Sequence, residues 1–508
     1  MPDLSPTENM SMDERRRGLR LVLQEGMVTQ AMVTLTGGVF LVAFALQLGA
    51  SNTIIGLLAA IPPLAELFQM PSVYLVTRIK NRRRLTVTAS FLARSFWVVI
   101  AAIPFVVPPS TAVWALVGAM CCYSILSGIS HCAWNSWIHD LLPQTEIGDF
   151  FSRRMRLSTI LAIILSLAAA FFIDFWKTET GGELTAYSVL FFGGYIAGMV
   201  GVYLLSRTPE PLIQEEEAPK LRTILKEPAS DRNFRNLLTF LGSWNFAINL
   251  AAPFFTVYML QRLGMDIGWV IALAVLSQIA SVASFKVWGH TADRLSHKSV
   301  LQISGPIFMI AILAWTFTTL PEPYFLTIPL LIVIHILTGI STAGVTLSTN
   351  YIGLKLAPQG HATSYIAAAS ITNYLAAGVA PIVGGLFADF FAAREASLTL
   401  TWTDPAGTIV LNTLDFQHWD FFFFFAFIIG LYSLHRLSAV HEEGEVKERI
   451  VIHELLAEVR REMRNLSTAG GLRTMIRPPV ARILKSQEKK LEEATYDREN
   501  RVKGIPEE

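Results

Sequence analysis

The chain has 508 residues, of which 52% are hydrophobic and only 16% charged, with a mean hydropathy of +0.45, whereas a soluble domain carries roughly a quarter of its residues as charged ones. A net charge of +1 gives no global field for nucleic acid or another polyanion. Three cysteines, Cys121, Cys122 and Cys132, with no CxxC pair and no histidines at ligand spacing, argue against disulfides and a metal site.

A bilayer core of about 30 Å takes some 20 apolar residues per helix. Residues 1–20 come first, with Asp13, Glu14 and Arg15 to Arg17 but no signal-peptide core, so the first span is expected to direct insertion. Apolar stretches follow at 27–48, 54–77, 85–107, 112–133, 157–176 and 187–205. Residues 206–236 are polar, with Pro209, Pro211 and the run Glu215, Glu216 and Glu217, and read as a linker. A second set lies at 237–260, 267–288, 300–320, 325–347, 365–388 and 421–437. Each stretch runs far past the roughly 10 residues of a barrel strand and lacks its alternation, so helices are predicted.

The expected division is a cytoplasmic segment 1–20, a six-helix bundle 21–205, a cytoplasmic linker 206–236, a second bundle 237–438 and a charged cytoplasmic tail 439–508. The tail carries a helical pattern over 451–466, with Val451, Leu455, Leu456, Val459 and Met463 near one face. It reads either as a regulatory or partner-binding helix or as a solvated tail resting on the membrane. Residues 391–419 form the one long loop on the other side. Short loops rich in Arg and Lys define the cytoplasmic face: Arg78, Lys80 and Arg82 to Arg84, then Arg153, Arg154 and Arg156, then Arg294 and Lys298. Both termini are expected on that side. Short outer loops point to a bacterial cytoplasmic membrane.

The two sets of spans repeat. Phe44-Ala45-Leu46-Gln47-Leu48-Gly49 answers Tyr258-Met259-Leu260-Gln261, an inserted Arg262, and Leu263-Gly264, an offset of 264 minus 49, or 215. Asn135 and Pro143 answer Asn350 and Pro358 at the same offset, and Arg82-Arg83 falls on His297-Lys298. Six spans per half place both repeats in one orientation, with the solute path expected between them.

After span eight the sequence reads Trp288-Gly289-His290-Thr291-Ala292-Asp293-Arg294-Leu295-Ser296-His297-Lys298. It resembles the loop motif of the major facilitator superfamily, G-x-x-x-D-R-x-G-R/K-R/K. Gly289, Asp293, Arg294 and Lys298 fit, while Ser296 and His297 depart from the pattern. The resemblance, with the span count, linker and duplicated halves, covers about residues 20 to 438. It implies an all-α polytopic fold of about twelve helices in two parallel-repeat bundles. It also implies solute transport by alternating access, and a central cavity lined by spans one, four, seven and ten. The motif reads as a conformational latch, one-sided because Arg78 stands where Asp293 has its counterpart.

Charges at membrane depth are functional candidates. Glu66 and Arg94 fall at comparable depth in spans two and three and are expected to pair. Glu66 is then either a protonatable coupling group or half of a fixed ion pair. Glu25 and Lys286 sit where snorkelling accounts for them. On the spans that the resemblance places at the cavity, the polar residues are Gln30, Thr34, Ser127, His131, Asn135, Trp244, Asn245, Asn249, His335, Thr338 and Ser341. They suit a polar or amphipathic neutral solute, and helix-to-helix hydrogen bonding is the alternative for each. Span eleven carries Gly378, Pro381, Gly384 and Gly385, a pattern for close packing and a bend.

The sequence has no G-x-x-x-x-G-K-S/T loop for ATP chemistry and no nucleophilic constellation, so neither an enzyme nor a cofactor is expected. The predicted protein is a secondary active transporter, in monomeric form, of a small solute with H+ as the candidate coupling ion. Its partners are that solute and the lipid bilayer, not nucleic acid. The competing reading is a transporter-like sensor or scaffold that signals through the tail.

Overall fold

The structure, a computed structural model, describes residues 11–142, 147–212, 221–319, 323–358, 362–404, 407–417 and 419–442. The acidic run Glu215 to Glu217, Pro143 and the helical pattern over 451–466 lie outside them.

Among the described residues, twelve helices are long and apolar enough to cross a membrane. Spans 1 to 6 are Met12–Gln47, Asn52–Val76, Arg82–Val106, Pro109–Leu141, Phe150–Thr180 and Glu183–Arg207. Spans 7 to 12 are Arg232–Arg262, Ile267–Arg294, His297–Phe317, Thr327–Leu356, Ala362–Phe391 and Trp419–Ser438. Several begin well before the apolar stretch that predicts them. Span 1 starts at Met12 because Ser11 and Glu14 form a reciprocal cap: the Ser11 hydroxyl accepts from Glu14 N at 3.2 Å, and the Glu14 carboxylate accepts from Ser11 N at 2.9 Å. Span 1 breaks at Gly37, and Gly38 takes the left-handed φ of 55° that a side chain would disfavour.

Helix contacts repeat from half to half. Span 1 packs on spans 5 and 6, span 3 on spans 4 and 6, and span 2 on span 4. Span 7 likewise packs on spans 11 and 12, span 9 on spans 10 and 12, and span 8 on span 10. Two pairings dominate between the halves, span 2 against span 11 and span 5 against span 8. Arg262, the residue inserted in the second-half copy of the Phe44-to-Gly49 stretch, falls in a π-helical turn, Tyr258–Arg262, which absorbs an insertion without breaking the helix.

Two departures from the predicted architecture stand out. The linker contains a short helix, Leu221–Ser230, that packs against span 11. The long loop after span 11 is a two-stranded antiparallel ribbon, β1 (Glu395–Asp404) and β2 (Gly407–Gln417), paired from Glu395 with Gln417 to Asp404 with Gly407 and irregular at Leu398/Thr399. It adds a hairpin to the helical fold without altering the bundle.

At the face bearing the basic loops, each half closes on itself by the same device. Glu210, just after span 6, accepts from the backbone N–H of Arg82 at 2.8 Å and of Arg83 at 3.1 Å, at the start of span 3. Glu442, just after span 12, accepts from His297 N at 3.2 Å and Lys298 N at 2.7 Å, at the start of span 9. Both carboxylates meet the partial positive charge of a helix amino end. Arg82, which the sequence presents as a loop base, is buried, with its guanidinium on Glu210, Asp140, Ser136 and the Pro211 carbonyl.

At the opposite face the same device crosses between halves. Asp389 of span 11 accepts from Asn52 N at 3.2 Å, Thr53 N at 2.9 Å and Thr53 Oγ1 at 2.6 Å, all at the amino end of span 2. Asp174 of span 5 accepts from the backbone N–H of Gly268, at the amino end of span 8. Between those ends the span 2 and span 11 backbones nearly touch. A Cβ on Gly56 would lie 2.1 Å from the Pro381 carbonyl, and one on Gly385 would lie 2.5 Å from that of Asn52.

Candidate functional site

A cavity of about 590 Å³ opens within the first half, lined by spans 1 to 6 together with Tyr374 of span 11. Its polar lining has two centres.

The first centre is built on Glu25. Its Oε1 accepts from Thr29 Oγ1 at 2.6 Å and from Arg94 Nη2 at 3.3 Å, and its Oε2 accepts from Arg154 Nη2 at 3.2 Å. Arg94 crosses from span 3 into a notch on span 6, where its Nη1 donates to the Gly198 carbonyl at 2.6 Å and its Nη2 to Thr29 Oγ1 at 3.0 Å. A Cβ on Gly201 would stand 2.4 Å from Arg94 Nη1, so the small residue makes the notch. Arg154 enters from span 5, stacks on Trp134 at 4.8 Å and lies against Gly26. Two guanidinium groups thus share one carboxylate in a half-enclosed, weakly screening place.

The second centre is built on Glu66. Pro71 has no N–H to donate to the carbonyl of Leu67, one turn back, so span 2 breaks into Asn52–Glu66 and Gln69–Ile79. The break leaves Glu66 at a helix end in the middle of a span. Its Oε1 lies 3.2 Å from His131 Nδ1 of span 4, and Gln69 Nε2 donates to its Oε2. Ser127, Asn135 and Tyr123 continue the wall along span 4, and Tyr374 faces Glu66 closely enough to feel its charge.

The predicted residues therefore separate into groups. Glu66, Arg94, Ser127, His131 and Asn135 line this one cavity. The expected pairing of Glu66 with Arg94 is not found: Arg94 binds Glu25 and Glu66 binds His131. The reason lies in helix length, because span 1 begins at Met12 and span 5 before Arg154, so Glu25 and Arg154 are carried inside the bundle rather than left at an interface. Gln30 donates to Thr34 at 3.3 Å and lines a separate space of about 230 Å³ beside Gln278 and Ser281.

The second-half candidates do not line the main cavity. Trp244 is buried between Phe240 and Phe308. Asn245 donates to Asn373 at 2.9 Å, and Asn249 to the Asn245 carbonyl at 2.8 Å. His335 is buried with Nδ1 2.8 Å from the Leu331 carbonyl. Ser341 donates to Leu337 at 2.7 Å and, more weakly, to the carbonyl of Thr338 at 3.1 Å. Of the motif residues, Gly289 is half-buried, Asp293 and Arg294 are exposed, and Lys298 is buried with its backbone on Glu442.

Sequence reading set Glu25 aside as snorkelling and Arg154 as a loop base, and it passed over Tyr374 and the helix-end carboxylates Asp174, Asp389, Glu210 and Glu442. For one pair a signal was present. Phe172-Ile173-Asp174-Phe175 and Phe387-Ala388-Asp389-Phe390 share a pattern, and 389 minus 174 is again 215.

Duplicated six-helix bundles, the first holding a polar cavity, define an integral membrane transporter fold. The chain matches the Major Facilitator Superfamily model over residues 26–381 and belongs to that superfamily. Solved structures share the fold at low identity. A variant of the nucleoside transporter NupG is similar at a TM-score of 0.63 and 14% identity, covering 83% of this chain and all of that one. A D-xylose-proton symporter is similar at 0.62 and 15%, covering 85% and 99%. A POT family transporter in complex with 5-aminolevulinic acid is similar at 0.57 and 14%, covering 86% and 99%. No curated protein matches the chain by sequence.

Proposed function

We propose that this chain is a proton-coupled secondary transporter that carries a small polar solute by alternating access, with the cavity around Glu25 and Glu66 as its binding site. The observation that carries the reading is the placement of the cross-half contacts. Carboxylate clamps join the halves at the face opposite the basic loops, while at the basic face Glu210 and Glu442 each bind within their own half. Rocking about the cavity then requires release of the first pair and closure at the other face.

In this mechanism Glu66 is the coupling group. Its position at a mid-span helix break, hydrogen-bonded to His131 and open to the cavity, lets solvent protons reach it and lets its charge respond to solute. Arg94, bonded to Glu25, Thr29 and the Gly198 carbonyl, anchors the wall. Asp293, exposed here, is assigned to the state closed at the basic face, where it serves as the latch. The basic loops support a reading in which that face and both termini are cytoplasmic, in a bacterial cytoplasmic membrane.

The test is uptake into proteoliposomes combined with cysteine labelling of cavity positions from either side. Solute should protect the cavity, an imposed proton gradient should drive accumulation, and Asp293→Asn should shift labelling toward the basic face. Labelling from one face only, under every gradient and in every variant, would refute alternating access.

A further inference from the structure

Resting on that transport reading, we infer that the solute is amphoteric, with an anionic group that docks on Arg154 and a cationic group that docks on Glu66. Charge and reach within the one cavity carry the inference.

At the first centre two arginines face one carboxylate, an excess of one positive charge. Glu25 has both oxygens occupied and Arg94 is taken up by protein acceptors. Arg154 makes one hydrogen bond to Glu25, rests on the Trp134 ring and is one of the residues that line the cavity. The excess charge is therefore offered at Arg154. At the second centre the partners of Glu66, an imidazole and an amide, leave an excess of one negative charge while His131 is neutral.

The two centres are bridged by span 4. His131 touches Glu66 and Trp134 touches Arg154, and residues three apart on a helix stand on one face with about 5–6 Å between their Cβ atoms. A molecule with its charges a few bonds apart spans that gap, and about 590 Å³ accommodates a dipeptide-sized solute.

Closing the cavity removes water from both centres, and a buried charge without a partner is costly. A sugar leaves both centres uncompensated. A simple carboxylate satisfies Arg154 but meets the Glu66 charge, and a simple amine has the converse difficulty. An amphoteric solute satisfies both, which makes the two-centre arrangement a filter against singly charged molecules.

The experiment is a melting-temperature series on the purified full-length protein. Its probes are glycine, 4-aminobutanoate, 6-aminohexanoate and glycylglycine, each against butanoate, butylamine, hexanoate, hexylamine, D-xylose and uridine. Amphoteric probes should raise the melting temperature in a concentration-dependent way, and the singly charged and neutral ones should not. Arg154→Gln and Glu66→Gln should each weaken the amphoteric probe by about tenfold or more. Arg154→Gln should newly admit the amines and Glu66→Gln the carboxylates, a gain that a merely misfolded variant does not give, while Arg154→Lys should restore part of the amphoteric response. Stabilisation of the wild type by sugars, nucleosides or singly charged probes instead, or by none of the amphoteric ones, would overturn the inference. Proteoliposome flux separates the two readings: a neutral probe that binds and crosses leaves transport intact and removes the amphoteric assignment. An amphoteric probe that binds but never crosses supports the assignment and removes transport.

Discussion

Asp174 and Asp389 stand 215 positions apart, and each carboxylate holds the amino end of a helix in the opposite half, at Gly268 and at Thr53. The helix starts they hold are also 215 apart, since 268 minus 53 gives the same number. The contact is thus a duplicated clamp. A hydrogen bond to a charged group contributes about 1.5–3 kcal/mol. Asp389→Ala is expected to shift the equilibrium between conformations by about tenfold toward opening at that face, and Asp174→Ala by a similar factor. Labelling of a cysteine placed beside the cavity measures the shift, and the double variant should exceed either single one. Labelling unchanged in all three variants would remove the clamp.

Glu66→Gln retains the shape of the side chain and removes its charge. Accumulation driven by a proton gradient should be lost, while exchange of labelled for unlabelled solute across proteoliposomes persists. A proton dependence equal to that of the wild type would transfer the coupling role elsewhere, with His131 the first alternative to examine.

Gly26 gives Arg154 its place. An added Cβ would lie 2.1 Å from Arg154 Nε and 2.9 Å from its Cζ, so Gly26→Ala must push the guanidinium off Glu25. Arg94 keeps its own bonds, and the end of a long side chain moves easily, so the melting temperature should change little. Solute affinity should fall by about tenfold, the value of one charged hydrogen bond. An unaltered affinity would exclude Arg154 from binding.

Glu210 and Glu442 cap equivalent helices with unequal stakes. Glu442→Ala exposes two N–H groups and removes the carboxylate that lies 2.8 Å from Lys355, for a cost of about 1–3 kcal/mol. Glu210→Ala also strips a partner from Arg82, whose side chain is only 1% exposed. Breaking such a buried pair costs about 3–5 kcal/mol, so the Glu210 variant should melt at the lower temperature. The reverse order would mean that Asp140 alone neutralises Arg82.

The helices, their number and the repeat were legible in the sequence because hydropathy is a property of whole segments and survives errors at the ends. Those ends decided the site. Glu25 and Arg154 lie beyond the apolar stretches at 27–48 and 157–176, and a reading that stops where hydropathy falls leaves them at an interface. The helices continue through them, as the Ser11 cap shows for span 1. The pairing of Glu66 with His131 rather than Arg94 depends on which faces of spans 2, 3 and 4 turn inward, and the proline-induced break at Leu67 sets that locally. The β-ribbon was readable from its alternation, Leu398-Thr399-Leu400-Thr401-Trp402-Thr403, but that pattern lies in a polar loop where spans were being sought. Among the cavity residues expected on spans 7 and 10, an isolated amide or hydroxyl looks the same in sequence whether it faces a solute or, as with Asn245 and Asn373, another helix.

The cavity wall belongs almost wholly to spans 1 to 6, with Tyr374 as the contribution from the second half. On the mechanism proposed above, such an arrangement would make recognition modular, with one bundle reading the cargo and the other supplying the moving door. A laboratory that wished to redirect this carrier could restrict its library to the first 207 residues and position 374, leaving the second bundle, its packed aromatic interior and its gating contacts as they are.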